Sequence, residues 1–156
     1  IVRFMPNIAA KVKKAVTAIA YNKGIDSSLK KIAFETASSF GEAFELDEKL
    51  FPAFIGISGS AIAIVLRFIH EIALGGCLEG IPYNQAVSIA SSTLISGAEL
   101  QKQTKENPEA LMTKVCSAGG TTIESVKALE KNGFNKAVIE AVVAASEKTK
   151  EMDRKA

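Results

Sequence analysis

Apolar residues recur along this chain at two different spacings. Ile1 to Met5 form a short apolar run that stops at Pro6, and Ala15 to Tyr21 alternate with β-branched residues; each predicts a short strand. Asn22, Gly24 and Asp26 mark a turn. After Asp26 or Ser27, both good N-caps, the period becomes helical. Leu29, Ile32, Ala33, Ala37 and Phe40 then share one face, and Gly41 reads as the helix stop. Glu42 to Leu46 read as extended or irregular, and a short helix after Asp47 carries Glu48.

From about Ser60 to Leu78 the pattern predicts a long helix whose first half is apolar nearly all round. Such a helix requires burial on most sides, which predicts a second copy of the chain as its cover. Gly80-Ile81-Pro82 separates it from a helix over Tyr83 to Gln103, rich in small residues that permit close helix approach. Asn107-Pro108 opens a short helix, Glu109 to Val115, and a loop from Cys116 to Thr121 follows. Thr121 and Glu124 fit a capping box that starts a helix to Lys131. Asn132-Gly133 ends it, and a last helix begins near Asn135. The predicted class is all-α, six or seven helices behind a short N-terminal strand pair.

Composition excludes more than it selects. The chain has 156 residues, 47% hydrophobic and 23% charged, which suits one compact domain with a real core. The 19 basic residues nearly balance 17 acidic ones, leaving no broad basic face for nucleic acid. Two distant cysteines and one histidine make neither a disulfide framework nor a metal-ligand set. This predicts a reduced, cytoplasmic protein with no metal. The most apolar stretch, Ala53 to Leu66, is interrupted by Gly56, Ser58, Gly59 and Ser60, so it reads as a deeply buried helix rather than a membrane span. The opening Ile-Val-Arg-Phe, without a leading Met, reads as part of a longer protein.

The candidate chemistry sits in Cys116-Ser117-Ala118-Gly119-Gly120-Thr121-Thr122-Ile123. Two glycines directly before a helix let backbone N–H groups approach an anion closely. The first N–H groups of a helix lack partners and the dipole favours negative charge there. Two threonine hydroxyls add donors. This is a receptor for a small carboxylate or phosphate, and the same sequence also suits a plain capped turn. Ser58-Gly59-Ser60 reads better as a cap with close packing than as a second anion site. His70 reads as surface or packed, and Cys77 and Cys116 read as small core or loop residues without activation.

The loop V-C-S-A-G-G-T-T-I resembles the glycine-threonine signature of pyrroline-5-carboxylate reductases. R-F-M-P-N at the start, S-G-S at Ser58 to Ser60, Gly80-Ile81-Pro82, A-L-E-K-N-G-F and the final A-V-I-E-A-V run follow in that family's order. The resemblance implies a helical dimerisation domain of the 6-phosphogluconate dehydrogenase C-terminal-like type over residues 26–156. Residues 1–25 would close a dinucleotide-binding domain, the rest of which, a Rossmann fold, is absent from this chain. It implies reduction of 1-pyrroline-5-carboxylate to L-proline, in proline biosynthesis, with NADP or NAD as cofactor, by a homodimer or a higher assembly of dimers. The fragment alone is expected to be inactive. By position, Lys114, Ser117, Gly119, Gly120, Thr121 and Thr122 would bind substrate, with Thr122 beside the ring nitrogen as the catalytic residue, and Glu48 and Asn7 would lie near the cofactor. Ala61, Ile62, Ile64, His70, Thr113 and Ala118 depart from the family pattern. These departures keep a non-catalytic or diverged paralogue, serving assembly or regulation, as the alternative.

Overall fold

The structure is a computed structural model, and it describes residues 1–155. The chain divides into two compact units: Ile1–Ala63 with the chain from Val138 on, and Ile64–Ala137.

The first unit is built on a sheet. Strand β1 (Val2–Pro6) pairs antiparallel with β2 (Ala15–Tyr21), running from Val2 opposite Tyr21 to Pro6 opposite Thr17. A short 3-10 helix, Ile8–Val12, joins them and is capped by the Asn7 carboxamide. Helix α1 (Ser27–Ser38) then crosses over and returns the chain to β3 (Gly41–Glu45), which lies parallel to β2. Parallel strands require such a crossover. Asp26 caps α1 as expected: the Ser28 hydroxyl and amide both donate to its carboxylate, which holds that carboxyl below its usual pKa.

The all-α assignment is therefore corrected. A three-stranded mixed sheet, in the order β1-β2-β3, stands where a strand pair was expected. Residues 41–45, read as a helix stop and the start of an extended or irregular stretch, supply the third strand. α1 ends earlier than the Gly41 stop implies, with Ser39 as its C-cap. From residue 83 on, the helices fall where they were expected.

β2 is central and buried on both faces, with Ala15, Thr17 and Ile19 on one and Ala18 and Ala20 on the other. Ala18 and Ala20 pack against Phe51 and Phe54 of helix α2 (Phe51–Phe54), flanked by Met5, Val16 and Leu46. On the opposite face Thr17 is fully buried, and its hydroxyl has no hydrogen-bond partner. An unsatisfied buried hydroxyl costs roughly 1–3 kcal/mol. Thr17→Val, which keeps the shape and removes the polar atom, is expected to raise stability by about 1 kcal/mol. The check is a higher urea midpoint at unchanged slope; a lower midpoint refutes it.

Helix α2 does not stop at the S-G-S run. The chain passes through a π-helical turn, Ile55–Gly59, where Ser60 N bonds Ile55 O at 2.8 Å, and continues into α3 (Ala61–Leu78). The expected cap at Ser58 to Ser60 is thus a widened turn inside one helical run. Gly56 is required there, because a Cβ would lie 2.7 Å from the Val142 carbonyl oxygen on helix α7 (Phe134–Asp153).

The second unit holds most of α3, then α4 (Tyr83–Thr104), α5 (Pro108–Val115) and α6 (Thr121–Lys131). α3 and α4 approach closely through small residues: a Cβ on Gly76 would touch Ala86 at 3.4 Å, and Ala73 and Ala90 are buried. The deep burial expected of α3 is not found within one chain. Ala73 is its only buried residue among those described, while Val65, Leu66, Ile72, Leu74 and Leu78 are exposed. By length and composition alone, the helical run Glu48–Leu78 is apolar enough to cross a membrane.

Candidate functional site

The loop between α5 and α6 is a tight turn. Gly120 N donates to Ser117 O at 3.0 Å, and Gly119 has φ +69°. Ala118 has negative φ, so the turn is type II, with glycine at the one corner that demands left-handed backbone. A proline suits the position Ala118 holds; alanine fits it with more freedom in the unfolded chain. Gly120 has extended backbone at φ −81° and ψ 169° and is the N-cap of α6. A Cβ there would sit 2.3 Å from the Ser117 hydroxyl, which would have to turn away to admit it.

The capping box is not formed. Thr121 is the first helical residue rather than the cap, and Glu124 pairs with Lys127 at 2.8 Å. No side chain caps α6. The type II turn fixes the direction from which the chain enters the helix and puts Gly120, which has no side chain to offer, in the cap position. The leading amides of α6 are therefore left for solvent or a ligand, at the positive end of an 11-residue helix. Ser117, Gly119 and Thr121 are exposed, and Gly120 and Thr122 are half-buried.

Lys114, Ser117, Gly119, Gly120, Thr121 and Thr122 thus fall on one short stretch of the second unit. Lys114 is turned elsewhere, in an ion pair with Glu106. Glu48 and Asn7 belong to the first unit. Glu48 opens a 3-10 helix, Glu48–Leu50, behind its N-cap Asp47 and holds Arg3 at 2.5 Å. The Arg3 guanidinium in turn lies over the Phe51 ring, 5.2 Å from its centre.

Asn7 is buried at 6% exposure. Its Oδ1 accepts from Ala9 N at 3.2 Å and Val16 N at 3.3 Å, and its Nδ2 donates to Ser58 Oγ at 3.3 Å. Ser58 donates on to Val16 O at 3.4 Å. Asn7 therefore ties the end of β1 to β2 and to the π turn. Ser58 is the partner that the sequence did not disclose, since nothing local links residues 51 positions apart. His70 Nδ1 lies 3.0 Å from the Tyr83 hydroxyl, a packed pair between α3 and α4. Cys77 and Cys116 are both free thiols. Among the described residues no three His, Cys, Asp or Glu side chains are grouped to hold a metal.

A family profile described as "Pyrroline-5-carboxylate reductase dimerisation" matches residues 48–152. The chain belongs to the pyrroline-5-carboxylate reductase family. Relatives bearing the name pyrroline-5-carboxylate reductase include the Synechocystis protein, 43% identical over 155 residues, and the Aquifex aeolicus protein, 40% identical over 152. These alignments cover 99% and 97% of this chain, but only 58% and 57% of the relatives, so the chain spans little more than half of either protein. The 1-pyrroline-5-carboxylate reductase of Streptococcus pyogenes has a similar structure, with a TM-score of 0.90 at 31% identity, covering 96% of this chain and 58% of that one. The Plasmodium falciparum pyrroline carboxylate reductase, solved with NADP bound, gives 0.89 at 30% identity, covering 97% of this chain and 62% of that one. The family is that of the sequence resemblance, and its dimerisation region contains α3 to α6 and the glycine-threonine loop.

Proposed function

We propose that this chain is the substrate-seating and dimer-forming part of a reductase that converts 1-pyrroline-5-carboxylate to L-proline with NAD(P)H. The observation that carries the reading is the uncapped start of α6 behind two glycines. Unpaired amides at a helix N-terminus complement a carboxylate in charge and in hydrogen-bond geometry. The seat is assigned to the amides from Gly120 to Thr122, with the Ser117 and Thr121 hydroxyls at its rim. The Thr122 hydroxyl is assigned to the ring nitrogen, where it orients the imine and handles its proton. The bound nicotinamide cofactor supplies the hydride.

The residues of this chain bear unequally on that cofactor. Glu48 is exposed, so a cofactor group can reach it, although it must share the carboxylate with Arg3. Asn7 is buried and its carboxamide is engaged by the sheet and the π turn, so its part is assigned to shaping the segment. The sheet β1-β2-β3 is assigned to the end of a dinucleotide-binding domain. The exposed apolar residues of α3 are assigned to a dimer interface, which the dimerisation profile supports.

Thr122→Ala tests the seat. In the full-length dimer it is expected to weaken proline binding roughly tenfold, the loss of one hydrogen bond to a charged ligand. Calorimetry showing equal affinity for both versions refutes the assignment.

A further inference from the structure

Lys114 stands in the last turn of α5, beside the loop that follows. Its ammonium is nevertheless engaged by Glu106, which precedes the Asn107 cap at the other end of the same helix. An eight-residue α-helix is roughly 12 Å long, so the lysine chain must lie back along α5, away from the glycine turn.

The two partners are not equally free. Glu106 is fixed through its backbone: its N–H donates to the Thr104 hydroxyl at 3.3 Å, and its carbonyl accepts from the Gln101 side-chain amide at 3.5 Å. Lys105 before it adopts left-handed backbone at φ 56° and turns the chain out of α4. Lys114 is the more exposed partner, with 63% of its side chain exposed against 37% for Glu106. A pair this exposed is weak. The C-terminal turn of a helix is also where a cation is stabilised by the helix dipole. A carboxylate at the start of α6 would add a negative charge on that side.

We propose that Glu106 is a positioning residue for the anion seat: it holds the Lys114 ammonium in reserve, and Lys114 exchanges Glu106 for the ligand carboxylate when the seat fills. This rests on the seat assignment made above. Nothing in the backbone of Glu106 depends on its carboxylate, so Glu106→Gln leaves the turn intact and frees the lysine.

In the full-length enzyme Glu106→Gln is expected to lower KM for pyrroline-5-carboxylate about twofold to fivefold, the range for one exposed charge pair, with kcat unchanged within about twofold. The lower KM should rise more steeply with salt than that of the parent, because a freed surface charge is screened. Lys114→Met is expected to raise KM, and in its background Glu106→Gln should change nothing. A drop in KM that persists in the Lys114→Met background shows that Glu106 acts through another group, and overturns the proposal. So does an unchanged KM for Glu106→Gln where Thr122→Ala still weakens binding, which leaves the seat standing and removes only the exchange. If Thr122→Ala is also without effect, the seat falls and the exchange falls with it.

Discussion

Gly41→Ala is expected to destabilise the protein by about 3 kcal/mol or more, the largest stability loss available from adding one methyl group. Gly41 opens β3 opposite Ala15, and a Cβ built there lies 2.0 Å from the Ala15 carbonyl oxygen and 2.4 Å from its nitrogen. Both atoms are backbone in the buried central strand, so no rotamer change relieves the collision. Either the β2–β3 ladder opens or the strand shifts, and each option exposes part of the core beneath it. With only about 5–15 kcal/mol holding an ordinary domain together, such a loss moves the unfolding midpoint far. Gly24→Ala is the control. It also carries a positive φ, of +80°, but meets nothing within 4 Å, so only the backbone cost of roughly 1–2 kcal/mol applies. Urea unfolding of the two variants separates steric from conformational cost. Equal losses would show that β3 does not lie against Ala15 as described.

The second large effect is on binding. On the proposed seat, Gly120→Ala is expected to weaken proline binding by the full-length protein by about tenfold to a hundredfold while leaving its stability nearly unchanged. The new Cβ would meet the Ser117 hydroxyl at 2.3 Å and the Ser117 carbonyl oxygen at 3.2 Å. Ser117 is exposed, so its hydroxyl swings away at little cost to the fold, but the displaced serine and the added methyl both spoil the mouth of α6. Displacements of about 1 Å in a positioning group reduce function on the order of a hundredfold. Adding Ser117→Ala removes the nearer collision and should recover part of the affinity. Calorimetry giving parental affinity for Gly120→Ala would mean that no ligand lies against this turn.

The sequence disclosed the helices well because their signals are long. α4 has 22 residues and α7 has 20, and their apolar positions repeat over several turns. β2 was legible through its β-branched alternation. β3 was legible only as an extended or irregular stretch: it has five residues at a sheet edge, with Glu42, Phe44 and Glu45 exposed, so burial imposed almost no pattern on it. Gly41 was misplaced for a related reason. Glycine after a helix usually stops it, but here Ser39 closes α1, its hydroxyl bonding Thr36 O at 2.7 Å, and Gly41 serves a neighbouring strand.

The glycine-threonine loop was legible because each part of its chemistry is local. Only the assignment of the cap changed, since Thr121 and Glu124 suit a capping box until the turn from Ser117 to Gly120 sets the entry angle. The Lys114–Glu106 pair was hidden because eight residues and a helix start separate its members, outside the three- and four-residue spacings by which charge pairs are recognised. For α3 the apolar pattern asked for cover from a second copy of the chain, and within one chain most of its apolar residues are left uncovered.

The π turn carries a constraint of a different kind, on chain length rather than residue type. Removing one residue anywhere between Ile55 and Gly59 would leave an ordinary α-helix with every peptide still hydrogen-bonded. α3 would keep nearly its present phase, because the widened turn takes up its extra residue within about one revolution, and only the residues of the turn itself would be re-aimed. Depending on where the cut falls, Ser58 would lose its approach to Asn7 or Gly56 its place beneath the Val142 carbonyl. The damage would thus fall on the contacts made within the widened turn rather than on α3, since the extra residue is absorbed where those contacts lie.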